Sequence, residues 1–308
     1  MPLLRSLFIA LSSNRRLRRF AESSTIGRRM SSRFVAGFRI EDALSAAAGL
    51  GRQGLAVTLD CLGENVSTPG EARQSAQRYH WILDAFAGSK LNANISLKLT
   101  QMGIDLSPEL AFEIVSGLVT HARQAGSFLR VDMEGSAYTQ ATIDLVRRLH
   151  SLPGNRGVIG IVIQAYLRRS ADDIANLLAD GIRIRLCKGA YQEPPEIAFA
   201  DKGEVDRNFV ALTKTLLKSG IFHGIATHDP AMIAATREFV RAEGIDPASF
   251  EFQMLYGVRR DLQRTLVAEG HGVRVYVPFG EEWYPYFMRR LAERPANVVF
   301  LAKNLLRR

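Results

Sequence analysis

"VRVYVPFGEEWYPYFMRRLAERPAN", residues 273–297, passes from an apolar, β-branched run through Gly280 into a segment with helical spacing. The spacing predicts a strand over 273–280 and a helix starting near Glu281, with acids in its first turn, Pro285 early enough to be tolerated and Pro295 just past the end. On such a helix Tyr286, Arg289, Arg290 and Glu293 fall at i, i+3, i+4 and i+7 and share a face. A solvated face with an Arg–Glu pair is the plain reading of those residues. What decides between that and a site is where the helix lies, and so how many such strand–helix units the chain contains.

Outward from this stretch the same rhythm repeats. Strand-like runs are "LAVTLD" (55–60), "NISLKLT" (94–100), "FLRVDME" (128–134), "GVIGIVIQA" (157–165), "IRIRLCKG" (182–189), "FHGIATHD" (222–229) and "FEFQMLYG" (250–257). With 273–280 they make eight, separated by segments of helical periodicity such as "ELAFEIVSGLVTHARQAG" and "TQATIDLVRRLHSL". Eight βα units in 308 residues predict an α/β fold, a closed (βα)8 TIM-like barrel with N-terminal helices, "IEDALSAAAGL" among them, and a final helix over the mouth; an open doubly wound sheet is the alternative. Each run ends in a residue capable of chemistry: Asp60, Lys98, Asp132, Gln164, Lys188, His228, Gln253 or Tyr256, and Tyr276. In a barrel those ends converge on one mouth.

If the last helix covers that mouth, two guanidinium groups sit side by side in a partly closed space, and Glu293 offsets only part of their repulsion. A substrate carboxylate supplies the missing anion, each charge-assisted bond contributing about 1.5–3 kcal/mol. Lys98 adds a third positive contact. The ligand read from these residues is a small carboxylic acid.

Composition narrows the alternatives. The chain is 47% hydrophobic and 23% charged, with two distant cysteines, Cys61 and Cys187, and no C-x-x-C. A disulfide framework and a cysteine zinc site are not indicated. No apolar run reaches the roughly 18 residues of a membrane span. Residues 1–33 hold eight arginines against the single acid Glu22, which accounts for seven of the nine net positive charges. The rest of the chain is nearly neutral, so a nucleic-acid groove is not expected. The Arg-rich head fits a helical cap, a membrane-surface helix or a transit peptide, whereas a secretory signal fits poorly because Arg5 interrupts its apolar part. "GLGRQG" (49–54) precedes a strand instead of following one, so it lacks the context of a dinucleotide fingerprint. P-loop, H-E-x-x-H and G-x-S-x-G motifs are absent. Among the histidines only His228 ends a strand; His80, His121, His150 and His271 read as surface residues.

Taken in order, "SLKLTQMG", "RVDME", "IQAYL", "RLCKGAYQEP", "ATHD", "EFQMLYG", "YVPFG" and "WYPYFMRRLAERPAN" resemble the proline dehydrogenase family of FAD-dependent (βα)8 barrels in its short monofunctional form, over about residues 50–300. The resemblance implies a distorted barrel, with residues 1–50 a basic N-terminal helical segment and 51–308 the FAD-binding catalytic barrel. It implies oxidation of L-proline to 1-pyrroline-5-carboxylate, the first step of proline degradation to glutamate, with electrons passed to a quinone. Lys98, Arg289 and Arg290 would bind the carboxylate, Glu293 would hold the arginine pair, and Tyr276 and Tyr286 would wall the ring. Asp132 would pair with Lys98 or Tyr276, and Arg185 would sit near flavin N5. Lys188, Gly189, Ala190 and Tyr191 would line FAD, Gln164 would bond the flavin ring, Thr227 and His228 would reach its ribityl or phosphate parts, and Met133 would offer a backbone contact. The chemistry needs no metal and no nucleophile.

Gln192 stands where longer members often carry an aromatic residue, and the aldehyde dehydrogenase domain of the bifunctional relatives has no counterpart. The product would therefore go to a separate 1-pyrroline-5-carboxylate (glutamate semialdehyde) dehydrogenase. A cytoplasmic location follows, with peripheral contact at the inner membrane face as a use for the basic head. Hydroxyproline dehydrogenase is the nearest alternative within the family. Outside it stands a Schiff-base aldolase barrel using Lys98 or Lys188.

Overall fold

The computed structural model describes Ser24, residues 31–191 and residues 193–293, leaving aside the side chains of 289–293. The Arg-rich head up to residue 30, Gln192 and the side-chain roles expected of Arg289, Arg290 and Glu293 therefore lie outside the described residues, Ser24 apart. Among the described residues, eight parallel strands close into a barrel in chain order. They are β1 (Ala56–Cys61), β2 (Ala93–Leu97), β3 (Leu129–Val131), β4 (Ile159–Gln164), β5 (Arg183–Cys187), β6 (His223–Ala226), β7 (Phe250–Leu255) and β8 (Gly272–Phe279). Closure is made by β1 against β8, with Val57 opposite Val275 and Leu59 opposite Val277. All eight expected strands are present, and the barrel replaces the open-sheet alternative.

Helix α1 (Ile40–Gly51) precedes the barrel. Helices α2 (Pro69–Phe86), α3 (Pro108–Gln124), α4 (Thr139–His150), α5 (Ser170–Ala179), α6 (Lys202–Lys218), α7 (Pro230–Ala242) and α8 (Arg260–Ala268) follow successive strands, and α9 (Trp283–Glu293) follows β8. Local chemistry starts three of them in the same way. In "TPGE", "SPEL" and "DPAM" the oxygen of Thr68, Ser107 or Asp229 accepts from a backbone N–H of the first turn while proline opens the helix. Loss of such a cap costs about 1 kcal/mol.

Alternate strand residues divide the barrel into two environments. Val57, Leu59, Ile95, Leu97, Ile161 and Ile184 belong to the large apolar core shared with the helices, each contributing about 1.5–3 kcal/mol by burial. Their neighbours in the chain bond one another across the interior: Thr58 to Asn94, Ser96 to Asp132, Arg274 to Glu251 and Arg185 to Gln253. A barrel interior is more often packed with branched apolar residues. Here much of it is a polar network.

Helix α9 is held by a separate apolar cluster in which Trp283, Tyr284, Tyr286, Phe287 and Met288 meet Phe34, Val35 and Leu62. Trp283 lies edge-on to Phe287 with ring centroids 5.6 Å apart, and Phe34 stands 6.3 Å from Phe287. This anchors the final helix over the C-terminal mouth of the barrel, as expected. Its start differs from the sequence reading. Gly280 takes φ 123, Glu281 and Glu282 stay on the bend, and the first turn contains no acid. The apolar contacts of Trp283 fix the first helical residue in place of the helix-dipole preference of the two glutamates.

The histidines also depart from expectation. His150 is buried, and His80 and His121 stack between α2 and α3 with their Nδ1 atoms 2.7 Å apart. His223, at the start of β6, is fully buried. Its Nδ1 accepts from the Ile184 N–H at 3.0 Å, so the proton resides on Nε2, which donates to Ser219 Oγ at 3.0 Å.

Burial, reinforced by the Arg130 charge, pushes the His223 pKa down from 6.5 to about 3. The unfolded chain therefore binds a proton that the folded one refuses. The resulting stability is complete above the ordinary histidine pKa and drains as pH falls toward the folded value. That is a slope of up to about 1.4 kcal/mol per pH unit. His223→Gln is expected to be less stable at pH 7 and to lose stability less steeply between pH 6 and pH 4, measured by urea unfolding at each pH. An unchanged slope would assign the acid sensitivity elsewhere.

Candidate active site

The strand ends do converge. A cavity of about 490 Å³ at the C-terminal mouth is lined by Asp60, Lys98, Asp132, Gln164, Arg185 and Tyr276 from the barrel and by Tyr286 from α9. Met133, Lys188, Gly189, Ala190 and Tyr191 border it, as do Thr227 and His228. A second cavity, about 870 Å³, opens at the other end of the barrel around Asn92 and His271, away from the strand ends that carry the chemistry.

Asp132 is the centre of the polar arrangement. Its Oδ1 accepts from Arg185 Nη1 at 2.8 Å and from Ser96 Oγ at 2.5 Å, and its Oδ2 accepts from the Tyr276 hydroxyl at 2.7 Å. Lys98 Nζ stands 3.7 Å from the same Oδ2 but only 3.3 Å from Asp60 Oδ2. Of the two pairings expected for Asp132, Tyr276 makes the direct hydrogen bond and Lys98 the looser ion pair. Asp60, seen in the sequence only as a strand-end residue, is the nearer carboxylate to Lys98. Tyr79 of α2 reaches the other oxygen of Asp60 at 3.2 Å, which ties the cluster to the outer helical layer.

Protonation states follow from these contacts. Burial alone would lower the pKa of Lys98, but the Asp60 and Asp132 carboxylates outweigh it and raise it. Burial would raise Asp132, and Arg185 and then Lys98 overcome it, leaving the carboxyl below its ordinary range. Asp60 goes the other way: burial holds it above the usual carboxylate value despite Lys98. Burial and the Asp132 charge push the Tyr276 phenol well up, and burial pushes the Cys187 thiol up to about 12. Near neutral pH the site therefore presents a charged lysine, an ionised Asp132, a protonated tyrosine and a thiol that is no nucleophile. A Schiff-base lysine needs a depressed pKa. Lys98 has the opposite, and Lys188 is bound to Asp229 at 2.7 Å and Asp206 at 2.5 Å, so the aldolase alternative loses its amine.

Two cavity-lining side chains retain buried polar atoms with no hydrogen-bond partner among the described residues: Gln164 Oε1, an acceptor, and Arg185 Nη2, a donor. Gln164 Nε2 is already used, donating to Met133 O at 3.2 Å. An acceptor and a cationic donor left over in one cavity fit a planar heteroaromatic group with complementary edges. Gly189 has φ 108, and a Cβ there would run into the Tyr166 ring, so the backbone beside the cavity is open only because this residue is glycine. Thr227 Oγ1 accepts from Asp229 N, and His228 Nε2 accepts from Leu255 N at 2.8 Å, so this His228 nitrogen holds the end of β7. Tyr191 is 39% exposed at the rim.

Ser96, Glu251 and Arg274, which support these groups from below, are not singled out by the sequence, and Gln253 appears there only as a strand-end residue. The available signal was alternation: in "FEFQML" and "VRVYV" every second residue is polar, although both faces of a barrel strand are buried.

Comparison with known proteins gives the same picture. The family model described as proline dehydrogenase matches residues 43–303. Proline dehydrogenase 1 of Bacillus subtilis (strain 168) is 41% identical over 307 residues, covering 99% of this chain and 100% of that protein. Proline dehydrogenase of Deinococcus radiodurans is 39% identical over 285 residues, 90% of each chain. Among solved structures, proline utilization A (PutA) from Bdellovibrio bacteriovorus superposes with a TM-score of 0.82 at 26% identity, over 87% of this chain and 33% of that one. The chain thus spans about a third of the length of that larger protein. A family match across most of the length, with two relatives near two-fifths identity, makes this chain a member of the proline dehydrogenase family.

Proposed function

We propose that this oxidoreductase converts L-proline to 1-pyrroline-5-carboxylate using FAD held at the barrel mouth. The observation that carries the reading is the pair of unspent groups, Gln164 Oε1 and Arg185 Nη2, in the cavity that also holds the Asp132–Lys98–Tyr276 cluster. FAD, when bound, supplies the acceptor for the hydride leaving the ring carbon beside nitrogen. Gln164 would hold the ring edge and Arg185 would place a fixed positive charge beside it, favouring the reduced, more negative form. Lys188, Gly189, Ala190 and Tyr191, with Thr227, His228 and the Met133 backbone, would border the rest of the cofactor.

Proline would be clamped by its carboxylate between Lys98 and the Arg289–Arg290 pair, with Glu293 steadying the pair. Tyr276 and Tyr286 would wall the ring. Tyr276 is fixed by its bond to Asp132, and a fixed phenol at the ring favours unsubstituted proline over hydroxyproline. Clamping converts binding energy into orientation, which does most of the work for a transfer that needs no nucleophile. Electrons would pass to a quinone and the product to a separate 1-pyrroline-5-carboxylate dehydrogenase. No helix among the described residues is long and apolar enough to cross a membrane, and the basic head would provide peripheral contact at the inner membrane face of a cytoplasmic protein.

Product analysis tests the reading. Protein incubated with L-proline and an artificial electron acceptor is expected to release a cyclic imine that o-aminobenzaldehyde traps as a coloured adduct, whereas with acceptor and oxygen both omitted no more than about one adduct per bound flavin should form. An adduct-free reaction in flavin-containing protein would contradict it.

A further inference from the structure

Arg185 is held at both edges of its guanidinium. Nη1 donates to Asp132, and Nε donates to Gln253 Oε1 at 2.5 Å. The Gln253 amide is in turn fixed from below, because its Nε2 donates to Glu251 Oε1 at 2.6 Å. That orientation is set by chemistry: an arginine N–H only donates and a carboxylate only accepts, so no flipped amide satisfies both neighbours. Glu251 is itself held by Arg274 Nε at 2.7 Å, and Arg274 is anchored to Val57 O and Asn92 Oδ1 at the end of the barrel opposite the mouth. A continuous chain of bonds therefore runs along the barrel interior from its base to the guanidinium at the mouth.

The sheet makes room for this chain at one place. Gly224 of β6 lies in register between Arg185 of β5 and Glu251 of β7, and a Cβ on it would run into Gln253 Nε2. Its φ is outside the left-handed region, so the position needs glycine for the missing side chain and not for backbone freedom.

We infer that Gln253 is a positioning residue for Arg185: braced by Glu251 and Arg274 and accommodated by Gly224, it aims the remaining donor, Nη2, into the cavity. This rests on the reading of Arg185 as the cation beside the flavin. Without the Gln253 bond the guanidinium keeps only its Asp132 edge and can rotate about it. The charge then meets the reduced cofactor less well, while the carboxylate clamp on proline is untouched.

The test uses the full FAD-loaded chain and three variants, Gln253→Leu, Gly224→Ala and Arg185→Ala, with midpoint potential, proline KM and the anaerobic rate of flavin reduction as readouts. Gly224→Ala displaces only the flexible end of Gln253, so it remains informative should Gln253→Leu fold poorly. Both Gln253→Leu and Gly224→Ala are expected to lower the midpoint potential and slow flavin reduction about tenfold, with KM changed less than about twofold, as for loss of one bond to a charged group. A parent-like potential and rate in both, with Arg185→Ala lowering each, would overturn the role of Gln253. An unchanged potential in Arg185→Ala would overturn the reading of Arg185 and this inference with it.

Discussion

Asp132→Ala is expected to lose about 3 kcal/mol of stability and at least a hundredfold in kcat/KM, the larger effect among single changes at the site. The carboxylate accepts from Arg185, Ser96 and Tyr276 and pairs with Lys98. Removing it leaves Arg185 and Lys98 as buried charges with one fewer partner and releases Tyr276. Asp132 is also the group whose folded pKa lies below its ordinary value, so the stability it contributes is present above the ordinary carboxylate pKa and lost as pH falls through the folded one. The variant should therefore show a smaller loss of stability on acidification than the parent. Asp60, raised by burial, contributes with the opposite sign and offsets part of this loss, but parent and variant both carry it, so the difference between them reads Asp132. Urea unfolding at pH 7 and below the ordinary carboxylate pKa of about 3.9, with steady-state kinetics, reads both effects. Parent-like stability at pH 7 would mean that the Asp132 network carries little of the load assigned to it.

Arg289→Ala and Arg290→Ala are each expected to raise the proline KM about 10- to 100-fold while leaving FAD content unchanged, because each removes a charge-assisted bond worth about 1.5–3 kcal/mol. Tyr286 of α9 lines the cavity, and Arg289 and Arg290 follow it at three and four residues, the spacing of one helical face. Lys98, kept charged by Asp60 and Asp132 just past the end of β2, would supply the opposing cation. Steady-state KM with flavin absorbance per protein decides the matter. Loss of FAD with an unchanged KM would move the arginines from the substrate to the cofactor.

The fold could be read from the sequence because its signals are local. Eight β-branched runs, proline-led helix starts such as "SPEL", and a glycine between the last strand and the last helix each act within a few residues. The convergence of Lys98, Asp132, Gln164 and Tyr276 was legible too, since closure of a barrel brings strand ends together whatever lies between them, whereas Arg185, inside β5, was indicated only by the family resemblance. What was not legible depends on partners distant in sequence. Arg274 and Glu251 are 23 residues apart and Arg185 and Gln253 are 68, and nothing local says that they meet. The apolar members of each strand drew attention away from the alternating polar ones, which line the interior. His150 read as a surface residue and His223 drew no reading for a related reason: a neutral imidazole is as easily buried as exposed, and His223 has both nitrogens bonded to partners the sequence does not reveal. The glutamates before α9 looked like a helix start and were displaced by Trp283, whose packing outweighs the fraction of a kcal/mol that an acid gains in a first turn.

On the proposed function, a flavin at the barrel mouth accepts a hydride from a proline pinned beside Asp132, Arg185 and Tyr276. The most direct test is the visible spectrum of the purified protein, recorded without oxygen before and after L-proline is added. The account predicts a yellow protein whose flavin band bleaches with proline and returns when a quinone is supplied. A colourless protein that takes up no FAD, or a flavin band that proline leaves unchanged, would contradict it.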